Sequence, residues 1–259
     1  MWASSTNLHQ LTLHRRQLLG KIGFGWTVRV LGLLNVVSLT FCIALMRPRL
    51  PPRKTGPLVD WAAFKDAPYC MQVLGTCFMM PPVYCVFYLI ALFARDELGM
   101  SYTDSLNLVI IVNGVGLPAR VLPGFIADRY IGVLNVQALA LVFNVIMLWA
   151  WLSVKSVAAC YVWVVFYGLA AGAFQSLFPS VIAAYSPDIT KTGTRLGMAF
   201  TVIGFSALVG GPIAGALLEV AGGDYTVPIS WAASSMMVGT ALCVSARCVK
   251  HGWKVRIRC

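Results

Sequence analysis

Arg120 stands inside an apolar run, residues 104–126, where a guanidinium must meet a cavity, a polar partner or a ligand. It lies eight residues before Asp128, which is about 12 Å along a helix at 1.5 Å per residue. That depth approaches the midplane of an apolar layer about 30 Å thick. The planar, permanently charged fork suits a carboxylate, or another anionic or carbonyl group of a solute. Pro118 and Pro123 flank it and loosen the helix around it. Asn113, Tyr88 and Gln175 are polar groups in apolar runs that could line a substrate pathway with Arg120; each alone equally suits an interhelical hydrogen bond. At the end of the same run, Gly124 precedes Ala127-Asp128-Arg129. Glycine permits close helix approach, and an acid–base pair at a helix end can lock one conformation and release it, as a gate does. Gly168-x-x-x-Gly172 and Gly211-x-x-x-Gly215 offer two further surfaces for close helix packing.

Other chemistries find no residues. His9, His14 and His251 all lie outside the apolar runs, and no two acids converge inside them, so neither a catalytic dyad nor an enzyme is indicated. The eight cysteines form no Cys-x-x-Cys pair and have no histidine at metal spacing. They read as small apolar core residues rather than metal ligands or a disulfide framework, and no cofactor is implied. Residues 1–21 are mixed in character and place Arg15, Arg16 and Lys21 directly before the first apolar run, unlike a cleaved signal peptide.

The elements that must carry these residues follow from composition. Hydrophobic side chains make up 59% of the 259 residues and charged ones only 11%, where soluble domains carry roughly 25% charged residues. So much apolar surface needs lipid as its solvent, and the expected fold is an all-α membrane protein with seven transmembrane helices. The expected spans are 22–46, 68–93, 104–126, 135–154, 157–184, 197–219 and 227–247. Around them lie an N-terminal segment 1–21, a basic, Pro-rich linker 47–67 and a basic tail 248–259. The last six spans form one bundle, with the first span preceding it.

A net charge of +11 would suggest nucleic acid in a soluble protein. Here thirteen basic residues collect in the linker, the tail and two further loops on one side, against five on the other. Basic loops mark the cytoplasmic face, so the C-terminus is expected in the cytoplasm, the first span enters from outside, and no nucleic-acid partner is expected. The expected partners are the lipid bilayer, a small organic solute and a coupling proton, with the plasma membrane as location. Arg15, Arg16 and Lys21 fit poorly on an outer side, so the chain reads as one whose earlier helices are absent.

Two motifs sharpen this. Asp128-Arg129-Tyr130 spells a triplet of rhodopsin-like receptors, but the Asn-Pro-x-x-Tyr and Cys-Trp-x-Pro strings of that family are missing. Gly124-x-x-Ala127-Asp128-Arg129 instead resembles the loop signature of the major facilitator superfamily, although the following glycine is at 132, one position late. Further strings extend the likeness. They are Ile22-Gly-Phe-Gly-Trp-Thr-Val-Arg29, Arg49-Leu-Pro-Pro-Arg53 with Gly56-Pro-Leu-Val-Asp60, Ala119-Arg-Val-Leu-Pro-Gly124, and Ser186-Pro-Asp-Ile-Thr-Lys-Thr-Gly-Thr-Arg195-Leu-Gly-Met198. Together they resemble the fungal monocarboxylate-transporter-like branch of that superfamily, which includes riboflavin-permease-like members.

The resemblance implies that the seven spans are helices six to twelve of the family's twelve, and that the function is alternating-access transport of a monocarboxylate-like anion or a secondary metabolite. It also implies a departure. Proton-coupled animal members carry an aspartate four residues before the arginine, and here that position is Gly116. The alternative readings are a half-bundle remnant or interaction protein that does not transport, and a seven-helix receptor.

Overall fold

A chain surrounded by lipid can satisfy its backbone N–H and C=O groups only within helices or closed barrels, and these apolar runs take the first solution. The computed structural model describes residues 2–46, 59–186 and 188–252, with side chains from Gly23 onward. Seven helices there are long and apolar enough to cross a membrane, and the described residues contain no strand. The basic residues expected in the linker at 47–54 and in the tail at 254–258 lie outside the described residues. The chain divides into two compact units, residues 1–57 and 58–259.

The first unit is α1, Trp2–Leu45, broken at Gly23 by a backbone with φ 74° and ψ 166° that favours glycine. The N-terminal segment is thus helical from Trp2. The membrane-length part is the 23 residues from Gly23 to Leu45. Near its start the Arg29 guanidinium lies 5.2 Å over the Trp26 ring, an aromatic cover for a charge close to the span's end.

The second unit opens with a short 3-10 helix, Trp61–Lys65, and continues as α2 Ala67–Asp96 and α3 Tyr102–Ile126. A π-helical turn, Ala127–Ile131, extends α3 and is closed by Gly132 at φ 81°. Four helices follow: α4 Val133–Trp151, α5 Val157–Ala184, α6 Ile189–Val220 and α7 Thr226–His251. In space α5 packs on α3 and α4, while α2 packs on α6 and α7, and α4 also meets α7.

In the second unit, the boundary that differs most from the sequence reading is the start of α6. Hydropathy alone begins this span at 197, because Lys191 and Arg195 are charged. The structure is helical from Ile189, since the Asp188 carboxylate accepts hydrogen bonds from Thr190 N–H (2.9 Å) and Thr190 Oγ1–H (2.8 Å) and caps the helix. At 32 residues, α6 measures roughly 48 Å and outruns the apolar layer. That length leaves room for the first turns, with Lys191 and Arg195, to lie beyond the layer.

The helices cross where glycines remove side chains. A Cβ on Gly168 would stand 2.8 Å from the Val112 carbonyl oxygen, and one on Gly172 would stand 2.7 Å from that of Gly116. These contacts set the α3–α5 crossing. The α2–α7 crossing rests on Gly75 and Gly239, where a Cβ on Gly239 would stand 2.5 Å from the Gly75 carbonyl oxygen. On α6, Gly210 approaches the backbone of Pro81 and Gly211 meets the Tyr88 ring. Gly215 requires a correction: nothing lies within 4 Å of a Cβ there, so it is not a packing position. The Tyr88 ring lies against α6 at Gly211, one turn earlier, and an intervening ring keeps helices from closing further.

The end of the unit away from the linker is held by aromatic rings. Trp163 stacks on Trp151 and on Tyr167 at 4.9 Å each, and Phe93 meets Trp151 and Tyr225 edge-on at 5.6 and 5.5 Å. Two of its polar atoms find partners nearby, while Trp151 Nε1 and the Tyr167 hydroxyl are buried without one. Trp163 Nε1–H donates to the Met147 carbonyl at 2.6 Å, and the Tyr225 hydroxyl to Asp96 at 2.6 Å.

Candidate functional site

The α3–α5 crossing positions the site. Arg120 lies one turn beyond Gly116 on α3, and Gln175 lies one turn beyond Gly172 on α5. The glycines that bring the two backbones together therefore bring these two side chains together. Arg120 Nη2 donates to Gln175 Oε1 at 3.4 Å, a long bond that leaves the guanidinium loosely held. Its Nη1 is buried without a hydrogen-bond partner and lies 3.7 Å from where a Cβ on Gly116 would be. Arg120 forms no ion pair with a described residue. Arg120 is thus a half-buried cation with one weak neutral partner, and it presents N–H donors to an acceptor that would enter from outside the helix pair.

The other expected residues are placed differently. Asn113 is buried, but its Nδ2–H donates to the Val109 carbonyl one turn earlier at 2.9 Å, a local bond. Tyr88 is exposed on α2 and packs against α6 at Gly211, away from the Arg120–Gln175 pair. Asp128 and Arg129 are both exposed on the π turn, and the expected acid–base pair between them does not form. Neighbouring helical positions point in different directions, so residues i and i+1 do not face each other. Arg129 instead lies 5.7 Å over the Phe125 ring. Gly124 faces open space and marks no close helix approach.

A second polar cluster lies at the linker end of the unit, and the sequence reading did not assemble it. Arg195 Nε donates to Asp60 and Nη1 to Asp66, both at 3.0 Å, while Lys191 Nζ stands 4.0 Å from Asp60. Asp60 and Asp66 lie in the 47–67 linker, and Arg195 just before the expected span 197–219. Their separation of 135 and 129 residues in sequence hid the pairing. The one signal available was an arginine that helix capping carries into α6, with two acids ahead of α2 to answer it.

The hydrogen bond from Arg195 lowers the Asp60 pKa below its ordinary 3.8, against the opposing effect of burial and with help from the Lys191 charge. A carboxyl whose folded pKa is depressed stabilises the fold above its unfolded pKa and loses that effect as pH falls through the folded value. Docking of residues 60–66 is therefore expected to persist between pH 8 and about 4, and to be lost below the ordinary 3.8. Hydrogen exchange of this segment, corrected for its intrinsic pH dependence, checks the expectation; protection that already falls at pH 6 would contradict it.

Seven membrane-length helices, with an arginine and a glutamine meeting where two of them cross, define a polytopic α-helical membrane protein with a polar site inside its apolar body. Comparison with known proteins narrows the class. No family model matches the chain. An MFS-type transporter of Gibberella zeae is 39% identical over 234 residues, covering 90% of this chain and 53% of that protein. The aspyridones efflux protein of Emericella nidulans is 30% identical, covering 90% and 47%. The riboflavin transporter of Saccharomyces cerevisiae is 30% identical, covering 89% and 48%. The chain spans about half the length of the curated relatives it matches. It belongs to the fungal MFS-type transporters of the major facilitator superfamily, a family of transporters rather than enzymes.

Proposed function

We propose that the chain serves in a secondary transporter that moves a small organic solute by alternating access, and that Arg120 receives an anionic or carbonyl group of that solute. The observation that carries this reading is the buried, unpartnered Nη1 of Arg120, beside a Gln175 that only weakly occupies Nη2. A desolvated donor without a partner is costly, and an entering acceptor relieves that cost. Two relatives are named for the efflux of aspyridones and the transport of riboflavin, which supports an organic solute and is compatible with export of a secondary metabolite. The basic linker and tail support a cytoplasmic C-terminus, and we place the protein in the plasma membrane. Asp128 and Arg129, exposed at the end of α3, suit a contact made and broken as the protein alternates.

The test joins the chain in frame to the half of the Gibberella zeae relative that it does not cover, in yeast, with labelled benzoate and pyruvate and their methyl esters as probes. Saturable, protein-dependent movement that prefers the acids supports the reading. Failure to move any of the four overturns it.

A further inference from the structure

The cluster at the linker end has no part in the Arg120 site, and its geometry is that of a pin. Arg195 is almost fully buried, with its side chain 5% exposed, and sits between two carboxylates on the approach to α2. Asp60 lies just before the 3-10 helix and Asp66 just after it, so the two charge-assisted bonds hold both ends of that short element. Arg195 is fixed from three further directions. Its guanidinium lies 5.4 Å over the Tyr69 ring, its backbone carbonyl accepts from the Tyr69 hydroxyl at 2.8 Å, and Nη1 also reaches the Tyr185 carbonyl at 3.4 Å. Asp60 N–H donates to Met198 Sδ at 3.3 Å, one turn further along α6. The 3-10 helix buries only Ala63 among its own residues. Its Trp61 and Phe64 are 75% and 59% exposed, so packing alone gives it little hold.

We propose that Arg195 is a positioning residue that pins the entrance of α2 to the first turns of α6, so that these two helix ends and residues 60–66 move as one body. Five residues of 3-10 helix with one buried side chain cannot hold their place unaided, whereas two ion-paired carboxylates facing one buried guanidinium can. A displacement of residues 60–66 is thereby delivered to α6 rather than absorbed in a loop. The pinned helix also walls a cavity of about 210 Å³ between α2 and α6, lined by Phe64, Tyr69, Cys70, Cys77, Met198 and Val202 among others. Cys70 reports the state of that wall. Its thiol donates to the carbonyls of Ala63 and Phe64 at 3.4 and 3.5 Å, and both carbonyls leave if the helix undocks.

The experiment alkylates the native chain in lipid nanodiscs with a small maleimide and follows each cysteine by peptide mass spectrometry. Cys85 and Cys160, both fully buried, serve as internal controls for the fold. In Arg195→Gln, Cys70 is expected to react about tenfold faster or more while Cys85 and Cys160 stay protected. Asp66→Asn, which weakens one of the two bonds, is expected to give a smaller rise, and it carries the test if the arginine variant fails to fold. Arg195→Lys, which keeps the charge but loses the fork, should fall between wild type and Arg195→Gln. An unchanged Cys70 rate with protected controls overturns the proposal. Equal exposure of all three cysteines also overturns it, because Arg195 would then support the whole bundle rather than this joint.

Discussion

In a transport-competent full-length form, Arg120→Ala is expected to lower solute transport by about 100-fold or more while the protein still reaches the cell surface. The magnitude follows from what the guanidinium can do in a dry site. A hydrogen bond to a charged group contributes roughly 1.5–3 kcal/mol, and a fork places two of them on one carboxylate. Losing about 3 kcal/mol corresponds to a factor of roughly one hundred. Surface expression should survive because Arg120 is poorly integrated in the fold, with one 3.4 Å bond and an orphaned Nη1. Removing it leaves no buried acid unpaired among the described residues. Arg120→Lys should recover only part of the rate, since a point charge cannot make the paired contact. Gln175→Ala should cost about tenfold, in line with loss of a single neutral hydrogen bond. Normal transport kinetics in Arg120→Ala, at matched surface abundance, would remove the residue from the solute path.

Gly172→Leu is expected to abolish correct assembly of α3 on α5. A Cβ at this position would lie 2.7 Å from the Gly116 carbonyl oxygen, 3.0 Å from Gly116 Cα and 3.1 Å from Ala119 Cβ. Two of these neighbours are backbone, which cannot rotate away as a flexible side chain would. Overpacking a well-fitted interior costs about 1–3 kcal/mol for a few methylenes, and leucine placed against backbone should exceed that range. Since Arg120 and Gln175 sit one turn beyond this crossing, the same substitution also separates them. Gly215→Leu provides the matched control: it adds the same side chain to a glycine with open space around it, and should leave stability nearly unchanged. The resistance of both variants to denaturation in mixed micelles distinguishes them. Equal stability of the two would mean that the crossing does not depend on the absence of a side chain at 172.

These two predictions draw on different kinds of legibility. Arg120 stands out in the sequence because a charge deep in an apolar run has few ways to be satisfied, and Gly168-x-x-x-Gly172 stands out by its spacing. That they act together does not, since it requires knowing that α3 crosses α5 with Gly116 opposite Gly172. Gly75 and Gly239 are as important to the α2–α7 crossing. Gly75 stands between Met71 and Met79 with no small residue at the repeat spacing, and Gly239 has only Ser235 four positions before it, so the contacts reveal them rather than a glycine repeat. Gly211 and Gly215 carry the repeat, yet only the first meets a neighbour. Spacing reports where a close approach is permitted, and the partner helix decides whether one occurs. The start of α6 escaped for a further reason: hydropathy measures the length of the lipid layer, whereas the helix continues until capping and geometry end it.

The two ends of the six-helix unit differ in the forces that close them. At one end, the stack through Trp151, Trp163 and Tyr167 is apolar and insensitive to ions. At the other, the joint around Arg195 depends on charge and answers to protonation or to a competing anion. Protonation or a competing anion therefore acts directly on the joint around Arg195, whereas the stacked rings themselves carry no charge for it to act on.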